Sequence, residues 1–390
     1  MSTSPAGRSR AGRWRPSRAQ RRVRPPVRRS SGRGTADVVR LRRSDCDGPG
    51  IVRKGRGRGF EYFDRDSGEK ITDPAVLQRI RDLAIPPAWR DVWVSPHPNG
   101  HLQAVGIDDA GRRQYRYHDH WRERRDAEKF DRMLEFAERL PQLRSMCAKL
   151  LSGDELDRER VLACAVRLLD YGLFRVGSEQ YAAENSSFGL ATIRKAHVSV
   201  HGREVAFDYP AKGGKRRVLS LVDDDVAEVV GALRRRRGGG PELLAYRDRD
   251  HRWVDVSSRD VNDFVKQLCG DRFSAKDFRT WHATVLAAVA LAVSGRAARS
   301  KTARKRAMAR ATQEVAHYLG NTPAVARNSY IDPRVFDRYQ SGWTIGGVLD
   351  ELGAEAEPGE PCTHGRVEEA VRDLLTDRAG SDIRRLRDEH

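Results

Sequence analysis

The sequence predicts an α+β protein in two lobes: a small N-terminal antiparallel β-sheet domain, then a larger, mostly α-helical domain carrying a short β-hairpin. Three observations predict it. Short alternating apolar segments, punctuated by Gly, Pro, Asn and Asp, fill residues 48–117. From Trp121 the apolar spacing changes to a helical period. One strand-turn-strand with a glycine-rich tip, Ala211-Lys-Gly-Gly-Lys215, interrupts the helices.

Residues 1–43 read as a disordered basic tail. The first 36 residues hold eleven arginines and no acid, and their prolines spoil the amphipathic helix that a transit peptide needs. The β-rich domain is expected over 44–121, with strands at Phe60-Glu-Tyr-Phe63, Val92-Trp-Val94, Leu102-Gln-Ala-Val-Gly-Ile107 and Gln114-Tyr-Arg-Tyr117. One helix interrupts them, with Asp73 as cap, Pro74 in the first turn and 75–84 as body. The helical domain is expected over 122–345. Phe130, Met133, Leu134, Ala137 and Leu140 form one apolar stripe, and Val161, Leu162, Ala165, Leu168 and Leu169 the next. Val205-Ala-Phe-Asp-Tyr209 and Val218-Leu-Ser-Leu221 flank the hairpin tip, and Arg234-Arg-Arg-Arg-Gly-Gly-Gly240 reads as a charged, flexible joint. The remaining tail, 346–390, is acid-rich at first and helical around 367–386.

Composition narrows the partner. Lys and Arg number 73 against 55 Asp and Glu, a formal net charge of +18, which points to a polyanion, with nucleic acid the default. No apolar run reaches the ~18 residues of a membrane-spanning helix, so no membrane partner is expected. The five scattered cysteines share no metal-ligand spacing and read as reduced packing thiols in a reducing, cytoplasmic setting. There is no Gly-x-x-x-x-Gly-Lys-Ser/Thr loop, so no nucleotide cofactor is expected. Asp223-Asp-Asp225 is a poor metal site because three adjacent carboxylates cannot all face one ion.

The chemistry rests on residues far apart in sequence. Thr322-Pro323 is a helix start and Asp332-Pro333 a stop, which puts Tyr330 near the end of a two-turn helix and Asn321 just before it. Lys276 and Arg279 lie three apart on one helix face and can present two cations to one phosphate, while Phe278 and Trp281 bury opposite. Arg175 follows a long helix, and Lys212 occupies the hairpin tip, where a mobile proton donor could reach a closed complex. Taken singly, each has an ordinary reading as a surface or packing residue.

Together the motifs carry a resemblance. Ile85-Pro-Pro-Ala-Trp89, Gly111-Arg-Arg-Gln-Tyr-Arg-Tyr117, Phe174-Arg175-Val-Gly177, Lys212-Gly-Gly-Lys215, Lys276-Asp-Phe-Arg279 and Asn321-Thr-Pro with Tyr330 occur in one order. That order resembles the small type IB DNA topoisomerases of bacteria and poxviruses, specifically the bacterial branch, over about 48–343. The resemblance implies two lobes closing as a clamp on double-stranded DNA. It implies Tyr330 as the nucleophile that takes a DNA 3′-phosphate, Arg175 and Arg279 as clamps on its nonbridging oxygens, and Lys212 as the acid that protonates the leaving 5′-oxygen. Viral members have histidine where Asn321 stands. An amide can donate a hydrogen bond there but carries no charge, a deficit that His282 or His317 could make good. The resemblance also assigns Gln114, Tyr115 and Tyr117 to DNA contact, with Lys215 and Lys276 as further cations near the phosphate.

The mechanism is physically coherent. A phenol ionises near ~10, so nearby guanidinium groups are needed to favour its anion and neutralise the phosphorane-like transition state. A 5′-alkoxide is a poor leaving group, so a general acid is required, and Lys215, Arg216 and Arg217 near Lys212 would favour proton release. Because the phosphotyrosine keeps the bond energy, religation needs neither ATP nor metal. One chain suffices to enclose one duplex, so a monomer is expected. The rival in chemistry is a site-specific tyrosine recombinase. Such enzymes typically place histidine where Lys276 stands here, and histidine or tryptophan in place of Asn321. A noncatalytic architectural DNA-binding protein would account for the charge but not for the four catalytic candidates.

Overall fold

The computed structural model describes residues 40–57, 59–295, 300–349, 363–378 and 382–386, and the chain divides into two compact units after Trp121. The fold is α+β. Residues 1–39 of the expected basic tail, residues 296–299 and Cys362 lie outside the described residues.

The first unit contains β1 (Ile51–Arg56), β2 (Gly59–Asp64), α1 (Pro74–Asp82), β3 (Arg90–Val94), β4 (Leu102–Ile107) and β5 (Arg113–Tyr117). The strands form one antiparallel sheet in the order β2-β1-β3-β4-β5. Asp73 caps α1 as expected, accepting from the Ala75 N–H at 2.8 Å. Ala84 turns left-handed at φ 49°, so the helix stops short of it. Ile51, Ile80, Val92, Val94 and Ala104 pack the core between helix and sheet. Strand β1 is invisible to alternation because Arg53-Lys-Gly-Arg56 reads as a basic loop; pairing with β2 and β3 makes it a strand.

The second unit opens with α2 (Asp119–Leu151), whose first residues precede the division, followed by α3 (Arg158–Gly172) and α4 (Glu179–Asn185). Then come β6 (Val198–His201), β7 (Glu204–Ala211), β8 (Lys215–Val222), α5 (Asp224–Arg235), β9 (Ala245–Arg247) and β10 (Trp253–Asp255). The rest is α6 (Ser258–Cys269), α7 (Ala275–Gly295), α8 (Lys301–Leu319), α9 (Pro323–Ser329), α10 (Pro333–Gln340), β11 (Trp343–Thr344), α11 (Gly346–Leu349), α12 (Arg366–Thr376) and β12 (Arg384–Arg385). The expected stripes of α2 and α3 bury into one core with α7: Met133, Leu140, Val161, Leu162, Leu168, Phe278 and Trp281 are solvent-free or nearly so. The hairpin of β7 and β8 pairs from Glu204↔Val222 to Ala211↔Lys215, and β6 adds an unexpected third strand.

Three local expectations are corrected. The Arg234–Gly240 stretch is no flexible joint: Arg236 is buried and donates to the carbonyls of Leu233 at 3.1 Å and Gly240 at 3.4 Å, and also to those of Leu243 and Glu242, tying the glycine loop down. Asp332-Pro333 does stop α9, but it also starts α10, with Asp332 as its cap accepting from Arg334 N at 2.8 Å. The C-terminal helix ends at Thr376, where Asp377 turns left-handed; β12 follows and pairs with β11.

Candidate active site

Tyr330 is the C-terminal cap of α9. Its helix starts as the sequence predicts, Thr322 accepting from Val325 N at 3.3 Å with Pro323 behind it. The main chain around the tyrosine is held from three sides. Its N–H donates to Ala326 O at 3.0 Å, and buried Thr284 donates to its carbonyl at 3.3 Å while accepting from Asp332 N at 3.1 Å. Lys129 donates to the carbonyl of Ser329 at 3.1 Å. The half-buried phenol itself packs against the edge of the core.

Three guanidinium groups gather beside it. Arg279, on the second turn of α7, is 3% exposed, which a lone cation tolerates only with good partners. It donates to Leu173 O and, at 2.9 Å, to Leu319 O, and its Cζ lies 5.3 Å from the Tyr330 ring centre. Burial, and then the charge of Arg175, lower its pKa from 12.5 to about 10. Arg175 follows the left-handed cap Leu173 of α3 and donates to Asn321 Oδ1 and, at 3.3 Å, to Gly320 O. Its segment is stapled down by Leu190 N to Arg175 O and Ala191 N to Val176 O, both 2.8 Å. That close approach requires glycine at 177 and 189, since a Cβ on Gly189 would sit 2.5 Å from Gly177 Cα. Arg217 is the third, donating to Gly172 O at 2.8 Å; burial lowers its pKa too. Among the described residues no carboxylate pairs with any of the three, so the site holds buried positive charge whose acceptors are neutral carbonyls and one amide. Such a site favours an anion.

A cavity of about 360 Å³ lies over this cluster, lined by Arg175, Lys212, Lys276, Arg279 and Tyr330, with Tyr181 and Gly177 among the walls. Lys212 reaches it from the exposed hairpin tip, where Gly213 and Gly214 take φ of 81° and 72° in open space, and its Nζ lies 5.5 Å from the Tyr181 ring centre. Lys276 is exposed at the rim and Arg279 buried at the floor, while Phe278 and Trp281 bury away as expected. Asn321 meets the cluster through Arg175, and its Nδ2 is a buried donor with no partner among the described residues. Lys215 is exposed beyond the tip. Arg216 pairs with Asp208, leaving Arg217 as the hairpin cation turned inward.

Other expectations land elsewhere. On β5, Tyr115 and Tyr117 share an exposed face, stacked with centroids 6.1 Å apart. Gln114 points from the opposite face, donating to Asp108 at 2.9 Å, because successive strand residues alternate. His282 cannot make good the missing charge at Asn321: it is buried against Asp170 at 2.8 Å. His317 is exposed on α8 beside Tyr318 and does not line the cavity. Asp223 caps α5, accepting from Val226 N at 2.9 Å, and pairs with Arg167 at 3.1 Å. Asp170, His282 and His364 bring ligand-type atoms within 4.8 Å of one another, but Arg144 and His282 already occupy both Asp170 oxygens. Among the described residues, Cys46, Cys147, Cys164 and Cys269 form no disulfide, and burial pushes the Cys147 and Cys269 thiols up to about 12 and about 11.

A cationic pocket lies beside an anchored tyrosine. Residues 118–344 match the family described as eukaryotic DNA topoisomerase I, catalytic core, and residues 59–108 match bacterial DNA topoisomerase IB, N-terminal domain. The chain belongs to the type IB DNA topoisomerases. It is 31% identical over 299 residues to a protein named DNA topoisomerase 1B from Acanthamoeba polyphaga mimivirus, covering 75% of this chain and 88% of that relative. Among the described residues, no helix is long and apolar enough to cross a membrane. The sequence missed two supports of this candidate site, Lys129 and Thr284, and named Arg217 only as a cation near Lys212. Only Arg217 left a signal, an inward position set by strand alternation from the hairpin tip.

Proposed function

We propose that this chain relaxes supercoiled duplex DNA by reversible transesterification, without ATP or metal, as a cytoplasmic, nucleoid-associated monomer. Tyr330 gives up its phenol proton to solvent, the guanidinium cluster favouring the phenolate; its Oη attacks the phosphorus, the new O–P bond forms, the bond to the 5′-oxygen breaks, and Lys212 gives that oxygen its proton. The cut strand swivels, and the reverse steps reseal it. Arg175 and Arg279 hold the nonbridging oxygens, and Asn321 donates its free amide proton to one of them. Lys276 and Lys215 neutralise neighbouring phosphates, and the Tyr115–Tyr117 face contacts the duplex.

The observation that carries this reading is the convergence of Arg175, Lys212, Lys276, Arg279 and Tyr330 on one cavity. Uncompensated guanidinium charge lowers the barrier where a phosphorane gains charge, and it acts there without reorganisation. Bond energy kept in the phosphotyrosine makes ATP unnecessary. The test is relaxation of a plasmid lacking recombination sites, in chelator and without nucleotide. Complete relaxation is expected; strict dependence on paired specific sites would favour a recombinase, and dependence on magnesium would count against the scheme.

A further inference from the structure

Residues 363–386 lie beyond both stretches matched to the family, yet their described part is built into the second unit. Val367 and Val371 of α12 are solvent-free in the core, and β12 pairs with β11. Gly347 approaches Asp382 so closely that a Cβ would meet its main chain at 2.6 Å. Leu386 fills the space over Gly295 at the end of α7.

The same segment sends two polar side chains under the active site. Glu368 accepts from Trp281 Nε1 at 2.7 Å and from Arg144 at 2.6 and 3.0 Å. Arg144 also grips Asp170 at 2.7 and 3.1 Å, and Asp170 meets His282 at 2.8 Å. His364 stacks on His282, centroids 5.3 Å apart, and sits edge-on to Tyr171 at 5.2 Å. The positions of these groups matter. Asp170 is on the last turn of α3, just before the Leu173 carbonyl that receives Arg279 and the segment that delivers Arg175. Trp281 and His282 follow Arg279 by less than one turn of α7. The network therefore ties together, one turn below the cavity, the two elements that supply the arginine pair.

We propose that Glu368 is a positioning residue for that pair: through Trp281 and Arg144 it sets the offset between α3 and α7, so the chemical step depends on the C-terminal segment while DNA binding does not. This rests on the assignment of Arg279 to the scissile phosphate. Misplacement of a reacting group by a fraction of an ångström slows a step without weakening capture of the substrate.

The test uses the full chain and four forms, wild type, E368Q, R279K and the double variant, each kept below its unfolding temperature. Single-turnover formation of the covalent adduct and duplex Kd are measured for each. Glutamine keeps an acceptor for Trp281 but loses the charge that holds Arg144. E368Q is expected to slow adduct formation about tenfold with Kd within about threefold, and to add little once Arg279 is lysine, because coupled residues are not additive. W281F, which removes the donor to Glu368 together with part of a fully buried ring, is expected to slow the same step in the same direction. Wild-type rates in both E368Q and W281F, or strict additivity of E368Q with R279K, would overturn the inference. A Y330F control that still forms adduct would instead overturn the active-site reading on which it rests.

Discussion

Arg279→Lys separates the roles that one guanidinium combines. The native side chain bridges the carbonyls of Leu173 and Leu319 and still faces Tyr330, so it joins the end of α3, the end of α8 and the proposed nucleophile. An ammonium on a shorter, non-planar head can keep one carbonyl and loses the fork. Losing one charge-assisted hydrogen bond costs about 1.5–3 kcal/mol of stability. Losing one preorganised donor to the transition state costs about 2.7–4 kcal/mol, a ~10²–10³-fold drop in rate. The pH profile carries a second signature. Burial and Arg175 bring Arg279 from 12.5 to about 10 and leave it charged throughout the working range. A lysine in the same surroundings would be pushed below its ordinary ~10.4 by the same burial and the same Arg175 charge. Its folded value is depressed, so charge is present below that point and lost as pH rises through it. Single-turnover cleavage by R279K is therefore expected to be ~10²–10³-fold slow at pH 7 and to slow further as pH rises on the alkaline side. Wild-type cleavage should stay flat there. Duplex binding should change by less than about threefold, since one phosphate contact among many is altered. Near-wild-type cleavage by R279K, with no new inflection, would refute the reasoning.

Two further outcomes follow from the same geometry. Lys212→Ala should slow cleavage of ordinary DNA by about 10²–10⁴-fold yet cleave normally when the leaving 5′-oxygen is replaced by sulfur, which departs without an acid; an equal defect on both substrates would remove Lys212 from the acid role. The C-terminal segment should be acid-labile. Burial, with the charges of His282 and Arg144, lowers His364 from 6.5 to about 4 against the pull of Asp170 and Glu368. The unfolded chain therefore binds more protons between those values, and stability is present above pH 6.5 and lost as pH falls towards 4, by up to about 3 kcal/mol. Burial would raise the Asp170 and Glu368 carboxyls, but the His282 and Arg144 contacts outweigh it and hold both low, so their protonation at still lower pH acts in the same direction. Hydrogen exchange in α12 read between pH 4 and 7 checks this, and protection that does not fall on acidification would contradict it.

Much of this architecture was legible because it is local. Period-two alternation located β2 to β5, a helical period located α2, α3 and α7, and Thr322-Pro323 located the start of the helix that presents Tyr330. The candidate site was legible only as an ordered set of motifs, since nothing in the spacing of Arg175, Lys212, Arg279 and Tyr330 says that they meet. What stayed hidden depends on tertiary partners. Strand β1 is basic and exists by pairing; Arg236 looks like part of a solvated charge run and is buried by four carbonyls. His282 looked available for catalysis because its buried partner Asp170 lies 112 residues away. Glu368 had no sequence signal, because its role requires Trp281 and Arg144 to arrive from other helices.

Tyr330 as the atom donor is the claim on which the rest stands, and peptide mapping of a detergent-trapped protein–DNA adduct tests it most directly. The nucleotide remnant is predicted on Tyr330, attached through the DNA 3′-phosphate, with no adduct from Y330F although that variant still binds duplex. A remnant on another side chain, or relaxation by Y330F at the wild-type rate, would contradict the account.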